Sequence, residues 1–138
     1  MNIHERKLIQ SFFVFEKRDR YLSLISSPKG RIKFRRSLAH FKDVDLKYLI
    51  SIPGQFQNDK DIESLLQNKG APAMCHVISE NSKIDGGTLP LAEALSSVVG
   101  MGFSTFLSCI PGELVYYESG EVSSRFLCQR SALKAGND

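Results

Sequence analysis

Residues 103–130 read FSTFLSCIPGELVYYESGEVSSRFLCQR. Three runs rich in aromatic and β-branched residues lie there, at about 103–110, 113–118 and 124–130. Pro111-Gly112 separates the first two, and Glu118–Val122, around Gly120, separates the second pair. Proline presets φ at the second position of a type II turn, and glycine supplies the positive φ at the third. Short apolar runs joined by such turns predict an antiparallel meander.

The reading extends backwards from this meander. Ala73–Ser79 (AMCHVIS) has the composition of a buried strand, and Asp85-Gly86-Gly87 is a turn. Pro90 opens a helix through Leu91, Leu95, Val98 and Val99, which Gly100 and Gly102 end. Before residue 70 the period is helical. Asn2 caps a first helix, with Glu5 spaced to reach back as in a capping box. Leu8, Ile9, Phe12 and Phe13 form its apolar stripe. A second helix spans about 16–26. A third starts at Ser27-Pro28 and runs to about Phe41, with Phe34, Leu38 and Phe41 inward. Leu46–Ile52 suits a short strand or helix. Asn58 or Asp59 opens a further helix, which Lys69 and Gly70 close.

Four helices followed by β-α-β-β-β make an α+β domain, with the N-terminal helices packed on the C-terminal sheet unit. At 138 residues the chain suffices for one core, so residues 1–130 form a single domain and 131–138 a small, polar, flexible tail. The balance of 42% hydrophobic to 24% charged residues is ordinary for globular proteins. It argues against disorder or a coiled-coil rod. Leu8–Phe15 is broken by Gln10 and Ser11, and no stretch nears the length of a membrane span. The expectation is a cytoplasmic protein with no membrane partner.

The net charge of +3 hides a division. Residues 1–42 carry eleven Lys/Arg against three acids, and the remainder carries seven against twelve. Lys29, Arg31, Lys33, Arg35 and Arg36 crowd the third helix. Such a face suits an acidic protein surface, the guanidinium groups of Arg31, Arg35 and Arg36 pairing bidentately with carboxylates. Nucleic acid is the alternative. Phe34 lies among these cations, but its spacing assigns it to the core, so no aromatic stacking platform accompanies them.

Catalytic signals are sparse. Three cysteines cannot close a disulfide set, and their positions (75, 109 and 128) match no zinc pattern. They read as reduced thiols. Cys109 sits at a strand end beside the Pro-Gly turn, and Cys75 precedes His76. Adjacent strand residues point to opposite faces, so a histidine partner for either thiol would come from His4 or His40. Asp59, Asp61 and Glu63 lack calcium-loop spacing, and Gly100-Met101-Gly102 follows a helix instead of opening one. Neither cofactor nor metal is expected.

Leu38–Leu46 (LAHFKDVDL) and Val99–Tyr117 (VGMGFSTFLSCIPGELVYY) together resemble a family of small uncharacterised bacterial proteins. Those proteins pair a helix–HF–acidic turn with an SCIPG hairpin. The resemblance implies a bacterial, single-domain, cytosolic protein, carries no known activity, and marks His40, Phe41, Cys109 and Gly112. The leading expectation is therefore a non-enzymatic protein-binding module that, by analogy of size and origin, works as small inhibitors and immunity proteins do. A small cysteine-dependent enzyme and a nucleic-acid binder are the alternatives.

Overall fold

A computed structural model describes residues 2–54, 58–120 and 124–130. The proposed tail, 131–138, lies outside the described residues, as does part of the turn before the last strand.

Strands β1 (Leu49–Ser51), β2 (Met74–Ser79), β3 (Thr88–Pro90), β4 (Thr105–Ile110), β5 (Leu114–Ser119) and β6 (Ser124–Gln129) form one sheet. Its order is β1-β6-β5-β4-β2-β3, with every pair antiparallel. The helices are α1 (Ile3–Phe12), α2 (Arg18–Ile25), α3 (Pro28–Ser37), α4 (Asp59–Asn68) and α5 (Leu91–Val98). The fold is α+β, and it has three layers.

The side-chain period of two explains the layering. Cys75, Val77, Leu107, Cys109, Tyr116 and Leu127 turn to one face, where Ile62 and Leu66 of α4 and Leu91, Leu95 and Val98 of α5 cover them. Ile78, Phe106, Val115, Tyr117 and Cys128 turn to the other, beneath Leu8, Ile9 and Phe12 of α1 and Phe34 of α3. Both faces are dry, so β2, β4 and β5 lack the apolar–polar alternation of a one-sided antiparallel sheet. Phe106, Tyr117 and Phe126 stack in register across three strands, with ring centroids 4.4 and 5.9 Å apart.

Two glycines set close approaches. Gly30 begins α3 against α2: a Cβ there would lie 2.2 Å from the Leu24 carbonyl oxygen. Gly112 has φ +72°, and Glu113 N–H donates to Ile110 O at 3.0 Å, as the type II turn at Pro111-Gly112 requires.

Three local expectations need amending. Asn2 does cap α1, accepting from His4 N and Glu5 N, but the Glu5 carboxylate does not reach back. Two side chains, Arg31 and His76, hold it instead with three N–H groups, which outweigh a single main-chain donor. Leu46–Ile52 resolves into a single 3-10 turn (Leu46–Tyr48) followed by β1. Finally, Thr88–Pro90 is an edge strand that the sequence does not announce. Three residues ending in proline carry too little period to read.

Candidate functional site

The α3 segment, PKGRIKFRRS, starts on Ser27, whose Oγ accepts from Gly30 N at 3.0 Å, with Pro28 at the first helical position. Gly30, Phe34 and Leu38 are buried at spacings of four, which fixes the helix's rotation. The five cations are thereby divided. Arg31 and Arg35 fall on the flank against the sheet and are half-buried; Lys29, Lys33 and Arg36 face outward and are exposed.

Arg31 is consumed inside the molecule. Its Nη1 donates to Glu5 Oε1 at 2.5 Å and its Nη2 to Glu5 Oε2 at 2.8 Å. Its Nε donates to Asp85 Oδ2 at 2.8 Å and its Nη2 also to Asp85 Oδ1 at 3.1 Å. Arg35 Nε lies 3.6 Å from the same Asp85 carboxylate, which further accepts from Ser79 N at 2.9 Å. The expectation that Arg31 anchors a partner is therefore overturned, because both bidentate faces of its guanidinium already hold carboxylates. Arg35 is drawn to the same side. What the pair does instead is fasten α3 to the first turn of α1 and to the turn after β2.

The network continues under α1. His76 Nε2 lies 2.7 Å from Glu5 Oε2, and His4 Nδ1 lies 2.8 Å from Ser108 Oγ. The two imidazoles stack with centroids 5.6 Å apart. His76 Nδ1 is buried with no hydrogen-bond partner among the described residues. Burial alone would raise the Glu5 pKa. The hydrogen bonds from His76 and Arg31, with their charges, outweigh it and bring Glu5 down to about 2. Arg31 is pushed up by the same hydrogen bonds to Glu5 and Asp85. His4 is lowered, by burial first and by its neighbour His76 second. Glu5 and His76 are both buried, so this ionic cluster belongs to the core and not to the surface.

A second buried carboxylate sits on the opposite face. Glu118 accepts from Tyr116 Oη at 2.7 Å, Arg125 Nε at 3.2 Å and Gly100 N at 2.9 Å. It ties β5 and β6 to the end of α5, where Gly100 (φ +78°) and Gly102 (φ +84°) terminate the helix. Burial, and then Glu118 itself, raises the Tyr116 pKa.

The thiols are quiet. Cys75 and Cys109 lie in the core beneath α4 and α5, and Cys128 lies in the core on the other face. Burial pushes Cys75 up to about 11 and Cys128 to about 12; burial and then neighbouring Cys75 push Cys109 to about 12. A thiol at such a value is almost wholly protonated near neutrality, and only the thiolate is a good nucleophile. Cys75 and His76 do face opposite ways. Neither weak catalytic candidate, Cys75 nor Cys109, gains an imidazole: His4 bonds Ser108, and exposed His40 closes the 3-10 turn Leu38–His40 in the other layer. Phe41 packs on Phe13 at 4.8 Å and on Phe106 at 5.9 Å, so it belongs to the aromatic core. Asp59 and Asp61 occupy the first turn of α4 behind the Asn58 cap, and among the described residues no cluster of three metal-ligating side chains occurs.

What remains open is the outer stripe of α3. Lys29, Lys33 and Arg36, at i, i+4 and i+7, make no ion pair with any described residue. Ile32, 42% exposed, sits between them. A shallow hollow lined by Ile32, Arg35, Arg36, Glu80 and Ser82 adjoins the stripe.

Comparisons with family models, curated proteins and solved structures return no match. No helix among the described residues is long and apolar enough to cross a membrane.

Proposed function

We propose that this protein is a non-enzymatic docking module of the cytoplasm. It presents the outer stripe of α3 to an acidic partner protein. One observation carries the reading: two of the five cations are spent on pinning the helix, and the other three stand outward in a single row around an exposed isoleucine. A row of cations flanking an apolar contact fits a protein surface of carboxylates around an apolar hollow. Cationic residues at the rim steer encounter, and the buried apolar contact supplies most of the affinity. Nucleic acid is supported less well. The aromatic ring nearest the cations, Phe34, is buried and offers no stacking surface. The buried, strongly protonated thiols likewise give little support to a cysteine enzyme.

The test is a photo-crosslinking residue at position 32, in the chain expressed in its native cell. The expected product is a protein adduct whose linked segment is acidic. It should be lost in the K29E/K33E/R36E variant and survive nuclease. An adduct abolished by nuclease, or one indifferent to the triple reversal, would overturn the proposal.

A further inference from the structure

Cys75 of β2 and Cys109 of β4 turn to the same face of the sheet, the one that α4 and α5 cover. Their strands are antiparallel neighbours, in a register that runs from Ser79–Thr105 to His76–Ser108. The next residues along are Cys75 and Cys109. Each is second from the end of its strand, inside Met74 and Ile110 respectively.

The kind of pair decides what two thiols there can do. Glu80 N–H donates to Ser104 O at 3.0 Å, so residues 80 and 104 make a hydrogen-bonded pair. Alternation along the register then makes His76–Ser108 hydrogen-bonded and Val77–Leu107 not. The main chain of Val77 agrees, because it is spent on the side away from β4. Its N–H donates to Gly87 O at 2.9 Å, and its carbonyl accepts from Gly86 N at 2.8 Å. By the same alternation Cys75 and Cys109 face each other as a non-hydrogen-bonded pair. In such a pair the Cα atoms lie about 4.5 Å apart, and the side chains lie closer than in the hydrogen-bonded kind. A disulfide bridges Cα atoms about 4.4–6.8 Å apart. The site also has slack. β4 shifts register against β5 between Ser108 and Ile110, which makes Cys109 the extra residue of a bulge, outside that ladder.

We propose that Cys75 and Cys109 are the two halves of a reversible disulfide, closed by exchange with a small disulfide such as oxidised glutathione. Cys128 is left out, because it turns to the opposite face, two strands from β4. Both thiols are buried in the closed molecule, so exchange waits on opening of the strand ends, where a ladder frays first. One cysteine then loses its proton, and its sulfur attacks the oxidant. The oxidant's S–S bond breaks, and one glutathione leaves as a thiolate that takes up a proton. The thiolate of the other cysteine attacks the protein sulfur of the mixed disulfide, and the second glutathione leaves in the same way. The two cysteines give up two electrons and two protons, and the oxidant becomes two thiols. Directly opposed strands hold the bridge at the short end of its Cα range, so it is strained and easily reduced. In a reducing compartment the pair rests as thiols, as it does in this structure, and the bridge marks oxidation. This inference is independent of the α3 stripe.

Refolding the reduced full chain from urea, in a buffer of reduced and oxidised glutathione, tests it. Remaining thiols are blocked in denaturant, and linked peptides are mapped by mass. The expected product is lighter by two hydrogens before blocking, joins Cys75 to Cys109 and carries the blocking group on Cys128. The same oxidation in concentrated urea is the comparison. There loop closure favours Cys109–Cys128, 19 positions apart, over Cys75–Cys109, 34 apart, by roughly two- to threefold. Under folding conditions the ratio should reverse, with the Cys75–Cys109 bridge in excess by more than roughly tenfold. Three results would each overturn the inference. One is a folded product bridged through Cys128. Another is a chain that stays at thiols or mixed glutathione disulfides at every ratio of the buffer. The last is a share of the Cys75–Cys109 bridge no greater than in urea.

Discussion

Replacing Glu5 with glutamine removes the charge at the centre of the α1–α3 fastening while keeping the side chain's shape. In the folded protein Glu5 titrates at about 2, against an ordinary value of 4.5. That fall corresponds to about 3 kcal/mol of stability at neutral pH. Glu5 is buried, so solvent screening takes little away. The variant also leaves His76 Nε2 and Arg31 Nη1 facing a neutral amide, and breaking a buried pair from one side costs about 3–5 kcal/mol. Arg31 keeps Asp85, which puts the expectation at the lower end, about 3 kcal/mol at pH 7. The pH dependence has a definite sign. Folding depresses this carboxyl's pKa, so its contribution is complete above pH 4.5 and drains away as pH falls towards 2. Urea unfolding of the native chain and of Glu5→Gln at pH 7, 5 and 3 should show the two stabilities converging at the acid end. Arg36→Gln, on the outer stripe, should stay within about 0.5 kcal/mol of the native chain throughout. A Glu5→Gln loss below about 1 kcal/mol at pH 7, or one that is constant down to pH 3, would refute the reasoning.

Other outcomes follow from the same geometry. Gly30→Ala places a methyl group 2.2 Å from the Leu24 carbonyl oxygen, and α2 and α3 must part to admit it. A loss of about 2–3 kcal/mol in chemical denaturation is expected, with no loss for alanine at exposed Gly54, where nothing lies within 4 Å. Glu118→Ala strands Tyr116 Oη and Gly100 N and takes the carboxylate from beside Arg125, and should destabilise by about 3–5 kcal/mol in the same assay. Iodoacetamide at neutral pH should leave Cys75, Cys109 and Cys128 unmodified in the native chain and label all three in denaturant, read by intact mass. Labelling of any native thiol faster than global unfolding would contradict the burial described above.

The sheet was legible in the sequence because its central strands are nearly pure apolar runs bounded by strong turn residues. Pro111-Gly112 and Asp85-Gly86-Gly87 both act as punctuation that sequence reasoning can name. The edges were only half legible. β1 and β3 are three residues each: the stretch Leu46–Ile52 reads equally as strand or helix, and nothing in period or composition marks Thr88–Pro90 off from loop. The polar centre was hidden for a different reason. Arg31 pairs with residues 26 and 54 positions away, and local spacing shows no acid near it on α3. Glu5 carried a positive decoy, since its spacing from Asn2 matches a capping box. Nothing in the sequence joins His4, His76 and Ser108, and only the register of β2 on β4 makes His76 and Ser108 neighbours. Leu46 misled in the opposite direction. It heads an apolar run yet is the most exposed leucine described, because the 3-10 turn lifts it off the sheet before β1 begins.

The placing of the aromatic wall has a consequence for synthesis. Phe12, Phe13 and Phe34 leave the ribosome well before the surface they rest on, Phe106, Val115 and Tyr117. His4 meets Ser108 across 104 positions of chain. A nascent chain therefore carries uncovered phenylalanines until that surface emerges, a state that invites chaperone capture. Arrested chains ending near residue 100 should be cut by protease throughout their first forty residues, and chains extended past residue 130 should resist it.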